Sequence, residues 1–364
     1  MAKKKLDPKT EKLLTKIAKA VVIVLGVFII LISVIFLIAQ LYFKVPVIDY
    51  YKASNKELRI PGLSDNLVPQ GFDYAGKAGV YLVGGYQKDG SPSRVYRVDR
   101  QSGKETGYVV LGDSRGKGVS PHAGGLAVHD DYLFVAGDED ASICIYNLSD
   151  VLESESGTVI KMVDEFHTTY RDDKVNVAFL CFTEDRLIVG EFYRDPNYVT
   201  DESHWITTPS GDDNRAFAFC YGFSDGEDSV CGIATEPSEI WSMPGLVQGM
   251  AVHDGKVWIS QSYGTAKSTI ACYDVYGSEP VEFRGYYESL INDKGVDEKS
   301  GSVPVFVLDS STCVASFEAA PMAEEIIFVD GKLLVMCESA SNKYFFGNLT
   351  GGRWCYATDV SKLV

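Results

Sequence analysis

The chain has 364 residues, of which 46% are hydrophobic and 23% are charged, and its formal net charge is −16. This hydrophobic content allows a large buried core, which excludes a disordered chain. The negative charge disfavours nucleic acid as a partner and favours cations or basic partners.

The first 43 residues predict a membrane anchor. Residues 1–19 carry seven Lys, and residues 20–43 contain no charged side chain. At about 1.5 Å per helical residue, this run exceeds the roughly 30 Å of hydrocarbon in a bilayer. Because excess Lys marks the cytoplasmic side, we expect a cytoplasmic tail at 1–19, a single transmembrane helix at 20–43 and an extracytoplasmic remainder, all at the cell membrane. A cleaved signal peptide is the alternative, although the apolar run is longer than usual for one.

The remainder of the chain repeats one phrase. GLAVHDDYLFVAG at residues 125–137 returns as GMAVHDGKVWISQ at 249–261, and looser copies occur near residues 70, 178 and 324. Each copy is a short apolar run, a turn and a β-branched or aromatic run, which predicts a hairpin of two strands, a and b. Later runs ending in Asp or Asn predict a strand c, and a more polar strand d follows. Four such strands form one blade of a β-propeller.

Five hairpins predict an all-β propeller of five blades over residues 57–364, after a linker at 44–56. The last copy lacks a fourth strand, which residues 57–60 could supply. Two insertions, 194–214 and 276–302, interrupt the repeat, and the second contains a possible helix around 286–292. Residues 303–309 resemble another strand c, so that six blades is the alternative.

All eight cysteines lie after the predicted membrane helix. An even number outside the cytoplasm permits disulfides, and on a propeller Cys220 with Cys231 and Cys337 with Cys355 would lie on neighbouring strands. Buried free thiols are the alternative.

Four short phrases carry a family resemblance: PQG at 69–71, HAGG at 122–125, VQGMAV at 247–252 and MAEEI at 322–326. Together they resemble secreted or membrane-tethered bacterial β-propeller proteins of unassigned function. More distantly, they are similar to the senescence-marker, gluconolactonase and paraoxonase superfamily of propeller hydrolases. That resemblance implies a divalent cation on the axis, held by Glu, Asn and Asp side chains. Gln70 and Gln248 depart from this ligand set.

Strand a lines the axis of a propeller, so residues at its beginning converge on one mouth of the central channel. We expect a ligand-binding site there, with contributions from all five predicted blades: Gln70, His122, Asn176, Gln248 and Glu324. The alternative is a structural role, in which the two glutamines bond to the backbone of neighbouring blades and satisfy buried strand ends. His129 and His253 precede Asp in matching turns and are expected to brace them.

A second ring is expected at the ends of the b strands, on the same or the opposite rim. Its members are Asp138, Glu191, Ser262, Tyr263 and Glu338. If the protein binds a metal, calcium is expected, with Glu191, Glu324 and Glu338 as ligands. The insertion carrying His204 and Trp205 could form a lid over a mouth or cover a blade edge.

The chain lacks the usual nucleophile, nucleotide and zinc-protease motifs. We therefore expect a membrane-anchored extracytoplasmic propeller that binds a small molecule, a glycan or a protein at one mouth of its channel. The alternatives are a calcium-dependent lactonase or esterase and a structural scaffold of a membrane complex.

Overall fold

A long apolar helix precedes the β domain. The computed structural model describes residues 7–137, 141–286, 289–291, 297–299, 303–345 and 347–364. Helix α1, Pro8–Lys44, begins at Asp7, whose carboxylate accepts a 2.8 Å hydrogen bond from the backbone N–H of Lys9. None of its residues is buried. Among the described helices it alone is long and apolar enough to cross a membrane, as either an anchor or a signal sequence would be.

The β domain is a propeller whose blades are four antiparallel strands each, with the first strand innermost, and the outer strands of the first two blades also pair with each other in parallel. The strands a to d are Leu67–Ala75, Val80–Gln87, Arg94–Asp99 and Lys104–Gly112 in blade 1; Leu126–His129, Tyr132–Ala136, Ser142–Asn147 and Val159–His167 in blade 2; Phe179–Phe182, Arg186–Gly190, Ala216–Gly222 and Glu239–Met243 in blade 3; Val247–His253, Lys256–Gln261, Ser268–Tyr273 and Cys313–Ala319 in blade 4; and Ala323–Val329, Lys332–Cys337, Trp354–Thr358 and Ser54–Arg59 in blade 5. Short elements occupy the connections: helices α2, Ile48–Ala53, and α3, Leu148–Glu153; two-residue strands Thr169–Tyr170, Asp173–Lys174, Ile206–Thr207, Asp213–Asn214, Ser229–Val230 and Ile233–Ala234; and turns of 3-10 helix at Val45–Val47, Glu202–His204, Val275–Gly277, Gly347–Leu349 and Val360–Lys362.

The five a strands form a closed ring, in which each contacts the a strands of the two neighbouring blades. Glycine allows this close approach. A Cβ on Gly71 would lie 2.5 Å from Cβ of Leu126, and one on Gly249 would lie 2.6 Å from Cα of Glu325. The beginnings of five distant chain segments therefore meet around one axis.

The two ends of the domain close the ring together. Ser54–Arg59 pairs antiparallel with Trp354–Thr358, with Ser54 opposite Thr358. Leu58, only 1% exposed, packs in the core between blades 5 and 1. The prediction that residues before the first repeat supply the missing strand is confirmed.

The second insertion and the run at 303–309 that follows it lie between strands c and d of blade 4. Within that run, Val305–Val307 pairs in parallel with the outer strand of blade 3. The helix expected around 286–292 is wrong for its described part, because Ser289–Ile291 is a strand paired with Asp297–Lys299. The described residues form five four-stranded units. Residues 287–288, 292–296 and 300–302 lie outside the described residues, so the choice between five and six blades for the whole chain stays a prediction.

The segment expected to be a linker is folded into the propeller. One turn of 3-10 helix, Val45–Val47, connects α1 to α2. Tyr50 of α2 is 1% exposed, and its ring centroid lies 6.5 Å from that of Phe317 and 6.0 Å from that of Tyr356. Helix α1 is therefore connected to the propeller through packed residues and not through an extended linker.

The two expected disulfides are absent, and all eight cysteines are free thiols. In blade 5, Val335 lies opposite Tyr356, so that Cys337 and Cys355 fall on opposite faces of the sheet and enter different core clusters. Cys220 and Cys231 likewise contact separate clusters. Strand adjacency was predicted correctly for Cys337 and Cys355, whose thiols the register turns apart, but Cys231 lies in a turn between Ser229–Val230 and Ile233–Ala234 and not on a strand beside Cys220.

Candidate functional site: a cavity on the propeller axis

One face of the propeller carries a cavity of about 610 Å³ on its axis. All seven residues predicted for a ligand or metal site line it: Gln70, His122, Asn176, Glu191, Gln248, Glu324 and Glu338. Ser262 and Tyr263 line it too, so the described members of both rings share one rim, while Asp138 lies outside the described residues. An antiparallel hairpin explains this, because the beginning of its first strand lies beside the end of its second. A larger cavity, about 750 Å³, lies at the outer edge of blades 5 and 1 and contains none of these residues.

A hydrogen-bonded pair of carboxyl groups lies at the blade 5 side of the cavity. Glu338 accepts from Nε2 of Gln70 at 2.9 Å and from the hydroxyl of Tyr344 at 2.7 Å. Gln70 also donates to the carbonyl of Pro69, at 2.9 Å. Glu324, only 4% exposed, forms a side-chain hydrogen bond with Glu338. Gln70 thus bonds to the backbone of its own strand and also connects blade 1 to this pair.

The two carboxyl groups share one proton. Burial, together with the nearby charge of Glu338, raises the pKa of Glu324 well above its ordinary value. Burial also raises the pKa of Glu338, but the Tyr344 hydroxyl and the Lys343 ammonium oppose that effect. Because the hydrogen bonds from Gln70 and Tyr344 go to Glu338, we assign the proton to Glu324, which donates it in a hydrogen bond to the Glu338 carboxylate.

Aromatic and basic side chains cover the adjacent rim. The ammonium group of Lys343 contacts the hydroxyl of Tyr86 and lies 5.0 Å from the centre of that ring. The Tyr86 ring stacks on His122 at 4.7 Å with an interplanar angle of 27°. His122 is exposed at the cavity. This rim offers a cation, an imidazole and flat apolar faces to a bound molecule.

The opposite side contains a buried ion-pair network that the sequence reasoning missed. Nδ1 of His204, fully buried, lies 2.6 Å from Oε1 of Glu191, and its Nε2 lies 2.8 Å from Oδ1 of Asp173. Oε1 of Glu191 also accepts from the backbone N–H of Phe217 at 2.9 Å. The Tyr286 hydroxyl donates to Asp173. Within this insertion, His204 fixes Glu191 at the cavity, while Tyr198, Val199 and Thr200 line the cavity itself.

The charges within this network reinforce one another. Burial alone would lower the pKa of His204, but hydrogen bonds to Asp173 and Glu191 raise it to about 9. Burial alone would raise the pKa of Asp173, but bonds from His204 and Tyr286 lower it to about 2. Burial raises the pKa of Glu191, against the effect of His204. At neutral pH His204 is therefore an imidazolium facing the Asp173 carboxylate, and its charge opposes the effect of burial on Glu191.

The remaining predicted residues have distinct surroundings. Nε2 of Gln248 donates to the carbonyl of Ser262 in its own blade, at 3.4 Å, and Asn176 is exposed at the cavity. His129 stacks on Phe182 of blade 3 at 4.4 Å, and His253 stacks on Phe328 of blade 5 at 4.2 Å. Both histidines brace a neighbouring blade, in keeping with the structural role expected of them.

The carboxylates expected to bind calcium do not fit a metal site. Within the described part of the chain, no group of three or more His, Cys, Asp or Glu is arranged to hold a metal ion. Glu191 is already bonded to His204 and to the Phe217 N–H, and Glu324 is hydrogen-bonded to Glu338. A hard cation needs ionised oxygens with free lone pairs, so calcium gains no support from this geometry.

Comparisons with known proteins are consistent with the propeller and go no further. No protein-family profile matches the chain, and no curated protein matches it significantly. Among solved structures it is similar to a glutaminyl cyclase of Myxococcus xanthus, at 10% identity and a TM-score of 0.39 over 84% of this chain and 92% of that one. It is also similar to the Cps50 (Swd1) propeller domain of Myceliophteria thermophila, at 10% identity and a TM-score of 0.34 over 78% and 96%. A third similar structure is BamB from Moraxella catarrhalis, at 11% identity and a TM-score of 0.31 over 75% of this chain and 83% of that one. The expected distant resemblance to the gluconolactonase superfamily gains no family match.

Proposed function

We propose that this protein is a membrane-anchored propeller that binds a small polar ligand in the axial cavity, on the extracytoplasmic side of the cell membrane. The observation that carries the proposal is the convergence of all five blades on this cavity, where buried polar groups are held in place by hydrogen bonds. The apolar run of α1 and the Lys residues before it support the anchor and its orientation.

The chemistry of the lining indicates the class of ligand. Glu338 and Lys343 present a carboxylate and an ammonium group on one side, and Gln248 and Asn176 present amides from blades 4 and 3. The rings of Tyr86 and other aromatic residues offer apolar faces between them. Such a lining matches a small molecule with several hydrogen-bonding groups, such as an amino compound or a sugar.

Thermal stabilisation of the full-length protein in detergent micelles tests this proposal. We would screen amino acids, small amines and monosaccharides, since a bound ligand raises the melting temperature in proportion to RT ln(1 + [L]/Kd). A genuine ligand should lose at least about tenfold in affinity in Glu338→Gln, because a hydrogen bond to a charged group is worth roughly 1.5–3 kcal/mol. Glu155→Gln is the matched control, since Glu155 is exposed and far from the cavity lining. Equal affinity in both variants would place binding elsewhere.

A second candidate, a hydrolase of the lactonase or esterase type, is favoured by one specific observation. Glu324 and Glu338 are a protonated and an ionised carboxyl in contact, which is the arrangement needed for general acid and base catalysis. The hydrolase candidate predicts that the protein hydrolyses simple lactones or aryl esters, that this activity persists in EDTA, and that it is lost in the variant Glu324→Gln. Absence of turnover in the unmodified protein would remove this candidate without affecting binding.

A further inference from the structure

The end of the anchor helix contacts one loop of the propeller. This loop, residues 339–353, connects strands b and c of blade 5, and we call it the anchor-side loop. Its segment Gly347–Leu349 contacts α1, and a Cβ on Gly351 would lie 3.6 Å from Cε of Lys44. The hydroxyl of Tyr51 in α2 donates to the carbonyl of Thr350 at 2.9 Å.

These contacts fix the depth of the loop. The uncharged run of α1 ends at Phe43, and Lys44 is the next residue. Tyr42, 73% exposed, lies at the same level, and such aromatic and basic residues mark the boundary between hydrocarbon and headgroups. A loop that touches Lys44 therefore lies at headgroup level if α1 spans the membrane.

The composition of the loop suits that position. After Glu338, which begins the connection and lines the cavity, the loop contains Lys343 and Arg353 but no Asp or Glu, in a chain whose net charge is −16. Lys88 adds a further cation, since its ammonium group donates to the carbonyl of Asn342 at 2.9 Å. Phe345 is 90% exposed, the largest exposure among the large hydrophobic residues described. An apolar ring within a basic, acid-free loop is complementary to an anionic lipid surface.

The same loop forms part of the cavity rim, through Lys343 and Tyr344. Two further exposed apolar side chains of the cavity lining, Tyr198 at 55% and Val199 at 52%, come from blade 3. The anchor and the cavity thus share one face of the propeller.

From this arrangement we propose that the anchor-side loop rests on the bilayer that α1 crosses, with Phe345 entering its interface, so that the axial cavity opens beside the lipid surface. This rests on the proposed anchoring and adds to it an orientation for the domain. The predicted occupant of the exposed patch is the lipid of that membrane.

Quenching by brominated lipid tests the proposal. The full-length variants Phe345→Trp and Val163→Trp are placed in phosphatidylcholine and phosphatidylglycerol vesicles, with and without bromine on the acyl chains. Val163 is the control, being 45% exposed on the outer strand of blade 2. After subtraction of the emission of the native tryptophans, we expect the tryptophan added at position 345 to lose about half its emission and that at 163 to lose almost none.

Flotation of the unmodified protein with the same vesicles separates the two proposals. If the protein floats and both added tryptophans are quenched equally, the orientation is wrong and the anchor stands. A second copy or a protein covering the loop would give that same result. If the protein does not float after alkaline washing, the anchor and the orientation both fail.

Discussion

The network around His204 makes the stability of the propeller depend on pH. The pKa of His204 is raised from 6.5 to about 9 in the folded protein. A folded pKa above the unfolded value means that the folded state binds the proton more tightly. The resulting stability is present below pH 6.5 and is lost as the pH rises through 9. Asp173, with a pKa of about 2, stays ionised across this window.

The size of the effect follows from the shift. A difference of 2.5 between about 9 and 6.5, at 1.36 kcal/mol per pKa unit, gives about 3 kcal/mol. With an unfolding entropy of roughly 2.1 cal/mol/K per residue, a domain of about 310 residues loses roughly 5 °C in melting temperature for 3 kcal/mol. We therefore expect the melting temperature to fall by about that amount between pH 6 and pH 9.5.

The double variant Glu191→Gln with His204→Gln isolates this contribution. It removes His204 and its more deeply buried carboxylate partner, Glu191, while keeping amide hydrogen bonds, and Asp173, whose side chain is 17% exposed, remains. In detergent micelles, the melting temperature of the parent should fall between pH 6 and pH 9.5 by about 5 °C more than the melting temperature of the double variant does. His167→Gln is the control, because the His167 side chain is 56% exposed. If the parent and the double variant show the same pH dependence, the reasoning is refuted.

Two further predictions concern the fold. Gly249→Ala should destabilise the ring by several kcal/mol, because the new Cβ would lie 2.6 Å from Cα of Glu325. Gly222→Ala is the control, because its new Cβ meets no atom within 4 Å and should change the melting temperature little. Equal effects of the two substitutions on the melting temperature would contradict the close approach of the a strands. Thiol titration of the denatured protein, purified without reductant, should count eight reactive cysteines, and a count of six or four would show that disulfides form after all.

The repeated hairpin could be predicted from the sequence because its turn requires a backbone conformation that few residue types adopt. Asp130 and Asp254 both have positive φ, at 48° and 50°, which Asp tolerates and β-branched residues do not. The HD pair in both copies therefore located the turns. Once the turns were placed, the ring geometry brought Gln70, Gln248 and Glu324 to one cavity.

Other features depend on long-range register, which the sequence does not reveal. The pairing of Val305–Val307 with blade 3 joins segments more than 60 residues apart in parallel. His204 and Asp173 come from separate irregular segments, and no periodicity indicates that they meet. The faces of Cys337 and Cys355 differ because of a one-residue offset in strand pairing.

The helix α2 stands between the anchor and the strand that closes the ring. Because Tyr50 and Val47 are buried beside blades 4 and 5, a pull on the anchor would first load this packed helix and not the hydrogen bonds of Ser54–Arg59. If α1 is held in a membrane, movement of the bilayer would therefore reach the packed core of blades 4 and 5 before it reached the strand pairing that closes the ring.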